Sequence, residues 1–486
     1  MTSEDQTSPG ESPRRLTVAL TAVAYLMVTL DALVVVTALP AIHRSFGGGI
    51  ATLQWTVSAY SIAFGAGILT AAALGDRFGR RRVYVCGLAL FATASAACAV
   101  APNAAALVGF RTVQGIGASI VTPLGLTLLT SAFPAARRGA AVGIWGGVAG
   151  LGVACGPLLG GAITQGLSWH WIFWVNVPIG AVAAVGAATR LSESKGARAR
   201  LDLPGLALVS GAVALLILGL VRGAQNGWSR PLTLGGLLGG LTLAAAFVAS
   251  ESFAAEPMIP LSLFRSGAFA SAVVAQLAMG ASIFSAAFLT SQFFQLALRD
   301  SPLATGLRLL PWTITPLLVA PLAGSLSDKV GARRLVVPGM LLQAGGFAWI
   351  VDLTAWHAHY SAWVVPLVIA GVGISMALPC VPAAGLRAAP PASLGKAAGV
   401  INTAQQFGAV LGVAIVTVVF DVNGNLRSPA AVASGYHAAL KASAGLSLIA
   451  AFAGIGLRAR SRKRQPAPAA HAGAAEPALA TEAISV

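Results

Sequence analysis

The chain has 486 residues, 56% of them hydrophobic and only 9% charged, with a formal net charge of +16. A soluble domain carries about 25% charged residues, so this sequence cannot cover a surface that faces water. Most of it must face lipid or other helices, which excludes an ordinary soluble enzyme.

Residues 1–15 are rich in Ser, Glu and Pro and read as a disordered N-terminus. The stretch Leu16 to Leu39 is long enough to cross a hydrocarbon core, which takes about 20 residues. It has no small-residue cleavage site that would make it a signal peptide. It carries one acid, Asp31. A carboxylate at that depth is costly unless paired, hydrated or protonated, which marks it as a functional-site candidate.

Further apolar stretches follow, giving fourteen expected spans at roughly 16–38, 52–74, 83–101, 104–131, 139–163, 171–189, 203–221, 232–250, 268–290, 303–326, 335–353, 362–386, 397–420 and 437–457. Pro102 and Asn103 supply the turn between the third and fourth. Residues 458–486 are a basic run followed by an Ala/Pro tail without periodicity.

Basic residues orient the spans. With the N-terminus in the cytoplasm, 23 of the 31 Lys and Arg fall in cytoplasmic segments and six outside, counting Lys441 at the outer end of the last span, while Arg111 and Arg308 lie within spans. That asymmetry follows the positive-inside rule with both termini cytoplasmic. The net charge therefore reports topology and implies no nucleic-acid partner.

The loop after the second span, Gly75-Asp76-Arg77-Phe78-Gly79-Arg80-Arg81-Arg82, recurs after the tenth as Ser327-Asp328-Lys329-Val330-Gly331-Ala332-Arg333-Arg334. The repeat predicts two six-helix halves, 16–190 and 267–457, with spans seven and eight in a linker, 191–266. Parallel halves around a central site are a transporter plan. Glycine permits a tight turn. The Asp is expected to accept from a nearby helix N-terminus and to pair with Arg across the bundle. Asp76, Arg77, Gly79, Arg80, Asp328 and Gly331 are the candidate gating-loop residues.

Arg111 is the expected partner of Asp31. At 1.5 Å per residue, Asp31 lies ~12 Å and Arg111 ~10 Å from the outer ends of their helices, so the two share a depth. Burial favours a protonated acid and a nearby Arg favours an ionised one. A change in their separation would thus couple proton binding to conformation. Gly152, Gly156 and Gly160 repeat at every fourth position and form a smooth stripe for close helix packing. Pro157 removes a backbone hydrogen bond, and with Gly161 the segment reads as a hinge and a seal against leak.

Gln54, Trp55, Tyr60, Gln114, Trp145, Gln292, Asn402 and Gln405 are polar and aromatic candidates for lining a substrate cavity. The four cysteines read as small packing residues, and His357 with His359 lacks further metal ligands. No phosphate-binding loop argues for ATP drive, and no nucleophile-and-base or metal-ligand set argues for an enzyme.

Several of these segments resemble the major facilitator superfamily, in particular its fourteen-helix drug:proton antiporter branch. Leu74 to Arg81 looks like the superfamily's signature loop, with Ala72 where Gly is usual; the second copy keeps the glycine as Gly324. Leu30 to Pro40 resembles the branch's helix-1 motif, departing at Leu33 and Val36, where Thr and Asn are usual. Arg111-Thr112-Val113-Gln114-Gly115-Ile116-Gly117 resembles the helix-4 arginine motif, and Gly152 to Gly161 the helix-5 antiporter motif. Trp169-His170-Trp171-Ile172-Phe173 with Asn176-Val177-Pro178-Ile179-Gly180 is similar to the start of the branch's helix 6.

The resemblance implies an all-α integral membrane protein of fourteen helices in the cytoplasmic membrane. It implies a monomeric antiporter that uses alternating access to export a small hydrophobic or amphipathic drug-like compound in exchange for protons, driven by the proton gradient without a cofactor. The alternative is a dedicated exporter of one endogenous metabolite, such as an antibiotic, siderophore or lipid.

Overall fold

Where no water can satisfy them, backbone N–H and C=O groups must pair within their own segment, so an apolar chain folds into helices. The computed structural model describes residues 11–47, 50–133, 148, 151–152, 155–194, 203–253, 261–355, 359–390 and 393–457, and among them there is no β-strand. The helices are α1 (Glu11–Phe46), α2 (Ile50–Phe78), α3 (Arg80–Ala99), α4 (Ala104–Ser131), α5 (155–166) and α6 (Trp171–Arg190). They continue with α7 (Leu203–Asn226), α8 (Pro231–Phe253), α9 (Gly267–Leu296) and α10 (Pro302–Thr313, running on as Thr315–Val330). The last four are α11 (Arg333–Ala355), α12 (Tyr360–Ala388), α13 (Leu394–Asn423) and α14 (Pro429–Ile455).

Among the described residues, eleven helices are long and apolar enough to cross a membrane, or twelve when the two arms of α2, bent by 48°, count as one span. This matches the expected fourteen in part. Much of the expected 139–163 span lies outside the described residues. The described apolar run of α7 covers only Ala207–Leu216. One boundary is corrected: α1 begins at Glu11, so residues 11–15, expected in the disordered N-terminus, are helical. Pro13 is the third residue of that helix, where its missing N–H has no intrahelical acceptor to lose. The tail after 457 and residues 1–10 lie outside the described residues.

Local chemistry sets several ends. Asn103, placed at the expected turn, accepts from Ala106 N at 2.9 Å and caps α4. Ser301 and Ser428 cap α10 and α14, each followed by a proline in the first turn. The two repeated loops share a geometry. Gly79 has φ 106° and Gly331 φ 91°, values that a side chain with a Cβ rarely adopts. Each donates its N–H one turn back at 3.0 Å, Gly79 to Gly75 O and Gly331 to Ser327 O.

The end of the molecule that carries Arg80–Arg82 and Arg333–Arg334 is the basic end. Toward the opposite end, one apolar core takes residues from both sets of helices, among them Leu39, Ile42 and Phe173 with Phe288, Phe294, Trp363 and Tyr436. Toward the basic end the core splits. One cluster draws on α1–α4 and α6, including Tyr84, Phe91 and Leu128. Another draws on α9–α12 and α14, including Met279, Val336 and Met340. Among the described residues the two helix sets therefore share a core at the far end and hold separate cores at the basic end, apart from a lengthwise seam between α2 and α13. Helices α7 and α8 pack on each other, and α7 lies against both α2 and α13.

Candidate coupling site

The Asp31–Arg111 pair sits at the base of the far-end seal. Asp31 is 2% and Arg111 1% exposed. α1 and α4 pack together and bring Arg111 Nη1 to 2.5 Å from Asp31 Oδ2. Two further donors reach the other carboxylate oxygen. Gln114 Nε2, one turn beyond Arg111 on the same face of α4, donates to Oδ1 at 2.9 Å. Asn176 Nδ2, at the broken start of α6, donates to it at 2.8 Å. Arg111 also donates to Gln114 Oε1 at 2.8 Å and, through Nε, to the Thr56 carbonyl at 3.2 Å. Its guanidinium lies 4.2 Å from the centre of the Tyr60 ring, a cation–π contact within the range where such contacts are attractive. A buried charge pair is tolerated only when its remaining lone pairs and protons are hydrogen-bonded. Here the carboxylate has three donors.

A cavity of about 110 Å³ reaches Asp31 and Asn176 from the side of α1 that faces α5 and α6, with Leu30, Val34, Leu159 and Ile163 in its wall. None of the eight residues expected to line a substrate cavity is among those lining it. Gln114 and Tyr60 are instead fully buried within the Asp31 cluster. The physical reason is that an amide and an aromatic ring are the partners a buried ion pair needs. Gln292 is buried, with Nε2 3.5 Å from the Val36 carbonyl. Gln405 accepts from Gln276 at 3.0 Å, Trp55 packs against α13, and Asn402 is exposed. Gln54 and Asp328 lie in α2 and α10. Trp145 lies outside the described residues.

The glycine motif has two faces. A Cβ at Gly152, Gly156 or Gly160 would strike α1 at Thr29, Leu33 or Thr37 respectively, residues spaced like the glycines. The stripe thus seats α5 on α1. Gly161 faces α10, where a Cβ would lie 2.7 Å from the Pro302 carbonyl carbon, and Gly306 of α10 packs as closely on Pro157 and Leu158. This face closes the far end between the two helix sets. Gly306 carries no motif that would have singled it out.

At the basic end one expectation is corrected. Asp76 pairs not across the bundle but with Arg80, four residues on, at 2.8 Å. The left-handed turn at Gly79 folds Arg80 back over the last turn of α2. The carboxylate at the α3 N-terminus is Glu193, from the strand of chain after α6, which accepts from the N–H of Arg81 at 3.0 Å and of Arg82 at 3.3 Å. An acid is favoured there by the unpaired N–H groups and the helix dipole. Arg308 pairs with Asp300 at 2.6 Å and lies over the Tyr360 ring. Burial pushes the Asp300 carboxyl above its ordinary range, with Arg308 pulling the other way.

A helical bundle whose described residues share a core at one end only, with a caged acid and base at the base of that core, has the architecture of a membrane transporter. The model of the Major Facilitator Superfamily matches residues 21–412 and 272–485, and the chain belongs to that superfamily. It is 35% identical over 402 residues to multidrug resistance protein Stp of Mycobacterium tuberculosis (strain CDC 1551 / Oshkosh), covering 82% of this chain and 74% of that protein. It is 32% identical to the puromycin resistance protein pur8 of Streptomyces alboniger, covering 92% of each. Among solved structures, a D-xylose-proton symporter superposes with a TM-score of 0.66 at 16% identity, over 90% of this chain and 96% of that one; at that identity the likeness concerns the fold.

Proposed function

We propose that this transporter is a proton-coupled antiporter of the cytoplasmic membrane that exports small hydrophobic or amphipathic compounds. The observation that carries the reading is the buried Asp31–Arg111 pair beneath the far-end seal. In this reading the basic end and both termini are cytoplasmic, the two six-helix halves rock about the centre as a monomer, and the conformation described is open to the cytoplasm. Protonation of Asp31 releases Arg111 and favours the alternate state; deprotonation resets the pair. The proton gradient supplies the energy. Asp76 and Arg80, braced with Glu193 within one helix set in this open state, are the cytoplasmic gating residues, and Pro157, Gly161 and Gly306 form the outer seal. Asn402, Gln405 and Trp55, on or against α13, are the retained substrate candidates.

The relatives named for multidrug and for puromycin resistance support export of drug-like compounds. The second of them, matched over 92% of both chains, also favours a narrower reading, the export of a single antibiotic-like metabolite. Both readings are tested by measuring accumulation of a chemically diverse panel in cells with and without the chain, before and after an uncoupler. Lower accumulation that the uncoupler abolishes supports gradient-driven export. Many compounds affected favour the broad reading, one the narrow reading, and accumulation raised by the chain contradicts export.

A further inference from the structure

We propose that Asn176, Gln114 and Ser95 are positioning residues that direct the transported proton to one oxygen of Asp31, the oxygen that Arg111 also binds. The inference rests on the reading of Asp31 as the coupling acid. It begins with Ser95, a fully buried hydroxyl on α3. Its single proton goes to the carbonyl of Phe173 at 2.9 Å. A hydroxyl has one donor and two acceptor lone pairs, so toward its other neighbours Ser95 can only accept. Those neighbours are the amide nitrogens of Gln114 and Asn176, each at 3.1 Å. The Phe173 carbonyl thereby sets the orientation of both side-chain amides.

Each amide nitrogen has two protons. One goes to Ser95 and the other to Asp31 Oδ1. Oδ1 is then held between two neutral donors that have nothing with which to accept, and a proton placed on it would break both bonds. Among the described residues, Oδ2 has one donor, Arg111 Nη1. An incoming proton therefore adds to the vacant lone pair of Oδ2, and the Nη1–H···Oδ2 bond loses its charge assistance and weakens. The guanidinium keeps its charge and its bonds to Gln114 Oε1 and the Thr56 carbonyl. Proton and Arg111 thus meet at a single atom, and protonation there loosens the guanidinium from the acid. Among the described residues, the other titratable groups around the pair are Tyr60 on α2, Cys98 on α3 and Tyr25 on α1. Cys98 Sγ lies 3.7 Å from Gln114 Oε1 and so does not compete for Oδ1. The sequence marks Gln114 by its spacing from Arg111, but Asn176 and Ser95 lie on other helices.

The test is the pH dependence of compound-induced proton release by reconstituted protein, with an infrared titration of the Asp31 carboxyl band in the same preparations. The band is assigned as the one lost in Asp31→Asn. Asn176→Leu removes one donor to the ionised acid, so both midpoints are expected to rise by about one pH unit, a tenfold tighter hold on the proton. Ser95→Ala is expected to move them the same way, and Ser95→Thr, which keeps the hydroxyl, to leave them in place. Midpoints unchanged in Asn176→Leu and Ser95→Ala would overturn the proposal and make these residues packing only. The infrared midpoint decides this even in a variant that no longer transports. Proton release that survives in Asp31→Asn would instead defeat the coupling reading.

Discussion

Gly161→Ala separates a seal from simple close packing. In the structure a Cβ at Gly161 would stand 2.7 Å from the carbonyl carbon of Pro302 and 3.0 Å from Leu303 Cα. Carbon atoms normally pack at about 3.5–4.0 Å. The atoms met are backbone, which cannot rotate away, so α5 and α10 must separate by about 1 Å at this point. A gap of that order forfeits a quarter to a half of the local dispersion energy, and overpacking of this kind costs about 1–3 kcal/mol. The contact joins the two helix sets at the far end, so the cost falls on the sealed state alone. Since about 1.4 kcal/mol is tenfold in an equilibrium, the ratio of alternate to sealed state should rise roughly 5- to 150-fold. Spin labels at Leu167 and Leu307, both exposed, report the separation by pulsed electron resonance. The variant should show a new, longer distance. Gly166→Ala is the control, because a Cβ there meets nothing within 4 Å. A folded Gly161→Ala protein with the wild-type distance distribution would refute the argument.

Other predictions follow from the basic end and the α9–α10 loop. Glu193→Ala removes the carboxylate from the α3 N-terminus and should cost about 1 kcal/mol of stability, less at high salt; a thermal midpoint equal to wild type at low salt would contradict this. Asp300 is an acid whose burial raises its proton affinity in the folded state. The folded state then binds the proton more tightly than the unfolded one, so its contribution to stability is largest at low pH. That contribution declines as pH rises from about 4, the unfolded value, through the raised folded value. Asp300→Asn should flatten the stability profile in that window, and an unchanged slope would count against the effect of burial.

What the sequence revealed follows from what is rare in it. Asp31 and Arg111 are charges in apolar stretches, and their common depth could be counted from the helix rise. The repeated loops were legible because glycine at a left-handed turn is a requirement that recurs at Gly79 and Gly331. Gln114 stands out as a polar residue in an apolar span, and its place three positions from Arg111 on one helix face suits an ion-pair partner as well as a cavity wall. Asn176 and Ser95 are neutral, come from distant parts of the chain and carry no charge anomaly; only packing brings them to the acid. Glu193 lies beyond the end of an apolar span, where an acid is ordinary. The two faces of the glycine motif could not be separated either, because a stripe of small residues tells that a helix approaches and not which one.

The measurement that bears most directly on the account is proton movement in energised inverted membrane vesicles on adding a compound that the chain exports, in wild type and in Asp31→Asn present at equal amount. Antiport coupled through Asp31 predicts alkalinisation of the vesicle interior in wild type and none in the variant. Alkalinisation of equal size in Asp31→Asn would show that the proton travels by another group, and would leave Asp31 and Arg111 as a buried structural ion pair.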